Sequence, residues 1–224
     1  MLTLSMAQDA VTDAYRRLSR VAESLGDADF LRPTLCAGWA TGDILFHVLT
    51  DAQRALVTLA SPAPATPDVD FVTYWKSWSP GDPGALIAAR AVRIGASAFP
   101  APRSLVNLWI ATSEAALRMA SQARPDEFVT TQGHILGVRD FLATLAVEAT
   151  IHHLDMTAYL GTLVPPSDIA LKLVRVTLDG LLGTNLPAGW GDSEYALKGT
   201  GRIALSATDR STLGRCAARF PLFG

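Results

Sequence analysis

The stretch VRDFLATLAVEATIHHLDMTAYL, from Val138 to Leu160, runs for 23 residues without a proline or glycine and stops at Gly161, with prolines at 165 and 166. It reads as a helix over about 138–160 closed by a glycine cap. Taking about 100° per residue with Glu148 as origin, Val138, Phe141, Leu145, Met156 and Tyr159 fall between about 20° and 80°, His152 at about 40° and Asp155 at about −20°. A carboxylate and an imidazole therefore emerge inside the stripe that faces a core. An ionised carboxylate is costly there unless paired, and no Lys or Arg shares the face, Arg139 lying at about 180°. A Glu–His hydrogen bond resolves the conflict, and so does a divalent cation held from consecutive turns, for which i and i+4 are close neighbours. His153, at about 140°, points elsewhere and is a poor ligand.

Other amphipathic stripes accompany this one. Val11, Tyr15, Leu18, Ala22 and Leu25 mark a helix over about 6–25. Thr41 as N-cap and Asp43 in the first turn open a second, with Ile44, Val48, Ala52, Ala55 and Leu59 inward and His47 at the edge of the stripe, where it can supply a third ligand from a facing helix. SPAPATP ends that helix and starts a loop to about Gly81 that carries Phe71, Tyr74, Trp75 and Trp78. These rings either anchor the loop to the core or form one wall of a pocket. Asp82 and Pro83 cap a third helix to about 97, and a fourth spans about 103–123. The segment 124–137 reads as a loop with a short hairpin. Beyond it, a helix near 168–182, strand-like runs at EYALKG and RIALS, and a last helix from about Asp209 suggest a small α+β appendage.

Composition removes several classes of function. With 19 basic and 21 acidic side chains the net charge is −2, which speaks against nucleic acid as a partner. The longest run free of charged residues, Ala55–Pro67, has 13 residues and three prolines, too short to span a membrane. No basic segment precedes an apolar stretch at the amino terminus, so a cytoplasmic location is expected. Cys36 and Cys216 form neither a CxxC pair nor a disulfide framework; Cys36 reads as a small packed residue rather than a nucleophile. Any metal must then be held by His and carboxylate.

The segments PTLCAGWATGDILFHVLTD (33–51) and VEATIHHLDMTAYLG (147–161) resemble the two signatures of the DinB-like, mycothiol-dependent maleylpyruvate isomerase N-terminal family. The resemblance implies a mainly α fold, a DinB-like metal-binding four-helix bundle over 1–164 with a small C-terminal α/β domain over 165–224. It implies a catalytic Zn²⁺ on His47, Glu148 and His152, and mycothiol as the thiol. The family isomerase also uses an arginine from the appendage; Arg202 and Arg215 are both candidates, and no motif chooses between them.

Three protein ligands leave a fourth zinc position open, where a low-molecular-weight thiol is held as thiolate. The expected function is a thiol-dependent zinc enzyme, an S-transferase or isomerase acting on a small electrophile, with Asp155 or Asp51 orienting a ligand and Thr34, His134 and the tryptophans as pocket candidates. A hydrolase using metal-bound water and a non-catalytic metal-stabilised binding module are the alternatives. A monomer or weak homodimer is expected. The native metal is open among zinc, nickel and iron.

Overall fold

The computed structural model describes residues 2–77, 83–161 and 164–223; Trp78 and the Asp82 cap lie outside them. Four helices form a bundle: α1 (Leu4–Ser24), α2 (Thr41–Leu59), α4 (Pro102–Gln122) and α5 (Val138–Thr157), with α1 packed on α4 and α5, and α2 likewise. A shorter helix, α3 (Pro83–Ser97), leans on α2. This is the DinB-like arrangement, and no helix among the described residues is long and apolar enough to cross a membrane.

Helix boundaries follow local chemistry. Thr3 caps α1 by accepting from the Met6 amide, and Pro102 sits in the first turn of α4. The cap of α2 is Ala40 rather than Thr41; the Asp43 carboxylate accepts from the Ala40 amide at 2.8 Å, so the carboxylate in the first turn does the work expected of a threonine hydroxyl. Before α5, β1 (Phe128–Thr131) and β2 (His134–Gly137) pair antiparallel around a two-residue turn, Gln132-Gly133, both residues at positive φ (48° and 82°).

α5 is not the one-faced helix that its spacing suggests. Sixteen of its residues are buried, His153 and Asp155 among them, because α1, α2 and the later helices surround it. A helix enclosed on all sides has no solvent face to which polar groups can turn, so each needs a partner inside the protein.

The carboxy-terminal segment departs from expectation. α6 (Asp168–Leu182) packs on α1 and α5, and α7 (Asp192–Gly199) packs on α6. EYALKG is the body of α7, RIALS is irregular, and α8 (Ala207–Leu213) begins two residues earlier than expected. Among the described residues the β structure sits in the hairpin before α5, and the appendage contains helix only. Alternation in EYALKG misled because one face of α7 buries Tyr195, Ala196 and Gly199 against α6, a tertiary contact that outweighs a six-residue pattern.

The core is aromatic where α1 meets α4. Trp109 is fully buried, meets Tyr15 edge to face at 5.2 Å and donates its indole N–H to Ser19 Oγ at 3.0 Å. Trp109→Ala removes this ring and leaves a cavity, so we expect a loss of about 3–5 kcal/mol, read as a lower urea midpoint at unchanged m-value.

Candidate metal centre

The loop before α2 folds tightly enough to bring side chains back over α5. Thr34 Oγ1 donates to the Trp39 carbonyl at 2.9 Å and accepts from the Cys36 amide at 3.2 Å, while Gly38 takes a left-handed φ of 79°. Thr34 thus ties the loop and leaves Cys36 and Trp39 to face the cavity. Below them, α2 presents His47 and Asp51 one turn apart, and α5 presents Glu148, His152 and Asp155.

His47 Nε2 lies 3.0 Å from Glu148 Oε1, and His152 Nε2 lies 3.3 Å from the same oxygen. The two imidazoles meet at 84°, and the three donor atoms fall within 4.8 Å of one another. Two neutral nitrogens and one carboxylate oxygen converging from adjacent helices form a donor set that suits a divalent first-row ion. His153 stands apart, its Nε2 2.8 Å from the Val164 carbonyl oxygen, and burial lowers its pKa.

Protons shared among these groups hold the cluster together, and a cation would displace them. Burial alone raises the pKa of Glu148, but hydrogen bonds from His152 and His47, with the charge of both rings, outweigh it and hold the carboxyl well below its usual range. Burial works against the charged form of His152 too; hydrogen bonds to Asp155, Cys36 and Glu148 carry its pKa well above the ordinary value.

Asp155 sets the ring. Its Oδ2 lies 2.9 Å from His152 Nδ1, an acceptor that keeps Nδ1 protonated and makes Nε2 the nitrogen that a cation would take. The same carboxylate receives Arg202 in a fork, Nε to Oδ1 and Nη2 to Oδ2, each at 3.2 Å, and the Cys36 thiol donates to Oδ2 at 3.1 Å. Although burial penalises its charge, these partners bring the Asp155 pKa down to about 2. Gly201, at φ 75°, turns the chain out of α7 and delivers Arg202 to this point.

The structure therefore separates the two arginine candidates. Arg202 lines the cavity; Arg215 is exposed on the final 3₁₀ turn and does not line it. Cys36, read as packing, is half-buried at the cavity, with Sγ 3.7 Å from Arg202 Nη2 and 3.9 Å from His152 Nδ1. Cys36, His152 and Asp155 also sit close enough to hold an ion, but the Arg202 guanidinium already occupies the cationic place beside them. His134, a pocket candidate, is instead tied to Asp68 and Ser77 outside the cavity lining.

The cavity holds about 270 Å³. Tyr74 and Trp75, on the 3₁₀ turn Thr73–Ser77, are buried and line it, so these rings both anchor the loop and form a wall. Asp51, Arg54, Gln132 and Phe223 also line it.

Comparison with known proteins identifies the fold and the family. Two crystal structures share the fold at a TM-score of 0.53, one titled as the mycothiol-dependent maleylpyruvate isomerase and one as a histidine-to-alanine mutant of it, at 21% and 19% identity. In both cases the match covers 83% of this chain and 72% of the other. A search of curated proteins returns no match. The family described as the mycothiol maleylpyruvate isomerase N-terminal domain matches residues 11–157, a span that contains His47, Glu148 and His152, and the chain belongs to that family.

Proposed function

We propose that the protein is a thiol-dependent isomerase or S-transferase that acts on a small electrophile, with His47, Glu148 and His152 holding a divalent cation and mycothiol as the thiol. The observation that carries this reading is the convergence of three donor atoms on one side of a cavity large enough for a small reactant, within a family whose described relatives depend on mycothiol. A cation bound there supplies the positive charge that keeps a thiol deprotonated near neutral pH. Asp155 orients the His152 ring, and Arg202, which lines the cavity, is available to an anionic oxygen of the substrate. Trp39, Trp75 and Ile151 restrict water around the reacting carbon.

The test is optical. Titrating mycothiol into Co²⁺-loaded protein is expected to produce a thiolate-to-metal charge-transfer band that saturates at one equivalent or less. Absence of the band, together with ester or amide turnover, favours the hydrolase; absence of both favours a binding module.

A further inference from the structure

Ser77, His134 and Asp68 form a chain of hydrogen bonds apart from the metal centre. Ser77 Oγ lies 3.0 Å from His134 Nε2, and His134 Nδ1 lies 2.9 Å from Asp68 Oδ2. None of the three lines the metal cavity. Tyr74, which does line it, meets the His134 ring edge-on with centroids 6.2 Å apart, so the chain lies behind that wall of the cavity.

The backbone holds each member in place. The segment after α2 runs beside the hairpin, where the Ala63 amide donates to the Phe128 carbonyl at 2.7 Å and the Asp68 amide to the Ile135 carbonyl at 3.1 Å. Asp68 Oδ1 accepts from the Ile135 amide at 2.6 Å, so the carboxylate is held at both oxygens. Ser77 ends the 3₁₀ turn Thr73–Ser77. Asp70 pins the start of that turn, its Oδ1 accepting from the Val72 and Thr73 amides at 3.0 and 2.7 Å, and the buried rings of Tyr74 and Trp75 anchor its middle. These contacts already tie the loop to the hairpin, and the Ser77–His134 bond is not needed for that purpose.

The order of the contacts carries the chemistry. A carboxylate on Nδ1 keeps that nitrogen protonated and leaves Nε2 as an acceptor, so the Ser77 hydroxyl donates to it. A base on the hydroxyl, with an acid orienting the base, is the arrangement that activates serine for acyl transfer on unrelated folds. The hydrogen bond from His134 also holds the Asp68 carboxyl below its usual range. Ser77 is exposed, so a reactant reaches its hydroxyl from solvent. Asp68 is 52% exposed as well, and water weakens its hold on His134, so the activation is modest.

We propose that Ser77 is a nucleophile towards small activated carboxylic esters, with His134 as its general base and Asp68 positioning the ring, a second reactive site that is independent of the metal. Ser77 Oγ bonds to the acyl carbon as its proton passes to His134 Nε2. The C–O bond to the leaving group breaks, and the proton goes from His134 to the departing oxygen. Water then attacks the acyl-serine, with His134 taking a proton and returning it to Ser77 Oγ, so that ester and water become acid and alcohol. A site this open to solvent suits esters with good leaving groups, such as phenyl esters.

The experiment uses p-nitrophenyl acetate as substrate and a fluorophosphonate as covalent probe, on metal-loaded and on chelator-treated protein. Wild type in either state is expected to release p-nitrophenol and to carry the phosphonyl group on Ser77, located by peptide mass spectrometry. Ser77→Ala removes an exposed hydroxyl and should abolish the labelling. His134→Ala should slow labelling about 100-fold, the lower end of what a positioned base contributes. His134→Gln, which keeps a hydrogen-bonding side chain but no base, serves the same purpose if His134→Ala folds poorly. Asp68→Asn should slow labelling about tenfold, and Asp68→Glu, which restores a carboxylate, should recover part of the loss. No label on Ser77 in wild type, or an unaltered rate in the His134 variants, would reduce the chain to a surface hydrogen-bond pattern and overturn the proposal. Ester turnover that persists in Ser77→Ala and disappears with the metal would belong to the metal centre and overturn it as well. The Co²⁺ band with mycothiol should be the same in wild type and Ser77→Ala, so the two sites stand or fall separately.

Discussion

His152→Ala is expected to lower divalent-metal affinity by more than about 100-fold, measured by competition with a chromophoric chelator. Loss of an outer partner alone typically costs about 10–100-fold, and this substitution removes a donor atom as well as the Asp155 hydrogen bond behind it. The geometry makes the ring unusually dependent on its place: Nδ1 is fixed 2.9 Å from Asp155, and Nε2 stands 3.3 Å from Glu148. His47→Ala should act in the same direction. Arg215→Ala is the control; its side chain is exposed and away from the cavity lining, so affinity should not move. Metal retained at wild-type affinity in His152→Ala would mean that the triad is a hydrogen-bonded core cluster.

The second large effect is on stability. Asp155→Ala is expected to cost about 3–5 kcal/mol, because it strands the Arg202 guanidinium in a buried position without its fork partner. Asp155 itself is wholly buried, and Arg202 is 13% exposed, so solvent screens the pair little. The substitution also frees the His152 ring, so metal affinity should fall with it. The pH dependence has a definite sign. The folded-state pKa of Asp155 lies near 2, below its ordinary value of 3.8, so its contribution to stability is complete above about pH 4 and is lost as the pH falls towards 2. Wild type and Asp155→Asn should therefore differ most near neutral pH and converge in strong acid. Urea midpoints measured from pH 2 to 7 check this; parallel curves would show that the carboxylate charge does not contribute.

Much of the scaffold was legible because it depends on neighbours in sequence. The spacing of Val11, Tyr15, Leu18 and Ala22 defines the buried face of α1, and all four are buried. Helices expected over about 103–123 and 168–182 are found at Pro102–Gln122 and Asp168–Leu182, and the hairpin lies within 124–137 as read from its threonines and glycines. Glu148 and His152 could be paired on paper because four residues on a helix bring them close. Less legible was the burial of α5 on every side, since Asp140 and His153 lie away from the apolar stripe and look solvent-facing until the later helices are packed around them.

The side chains that line the cavity follow the same division. Cys36 comes from a loop whose path depends on Thr34, Arg202 from a turn after α7, Gln132 from a hairpin tip and Phe223 from the chain end. No periodicity links these positions, and Arg202 could not be told from Arg215 by any local pattern. The strand-like EYALKG failed for a related reason: six residues carry too little local preference to resist the packing of α6.

Sequence alone determined the helices, their inward faces and the pairing of Glu148 with His152, because those depend on backbone geometry repeated every few residues. Tertiary structure decided the rest: that His47 meets that pair from 101 positions away, and that Arg202 rather than Arg215 closes on Asp155. Contacts between distant segments are set by how whole helices pack and where loops return, and no short-range preference encodes them.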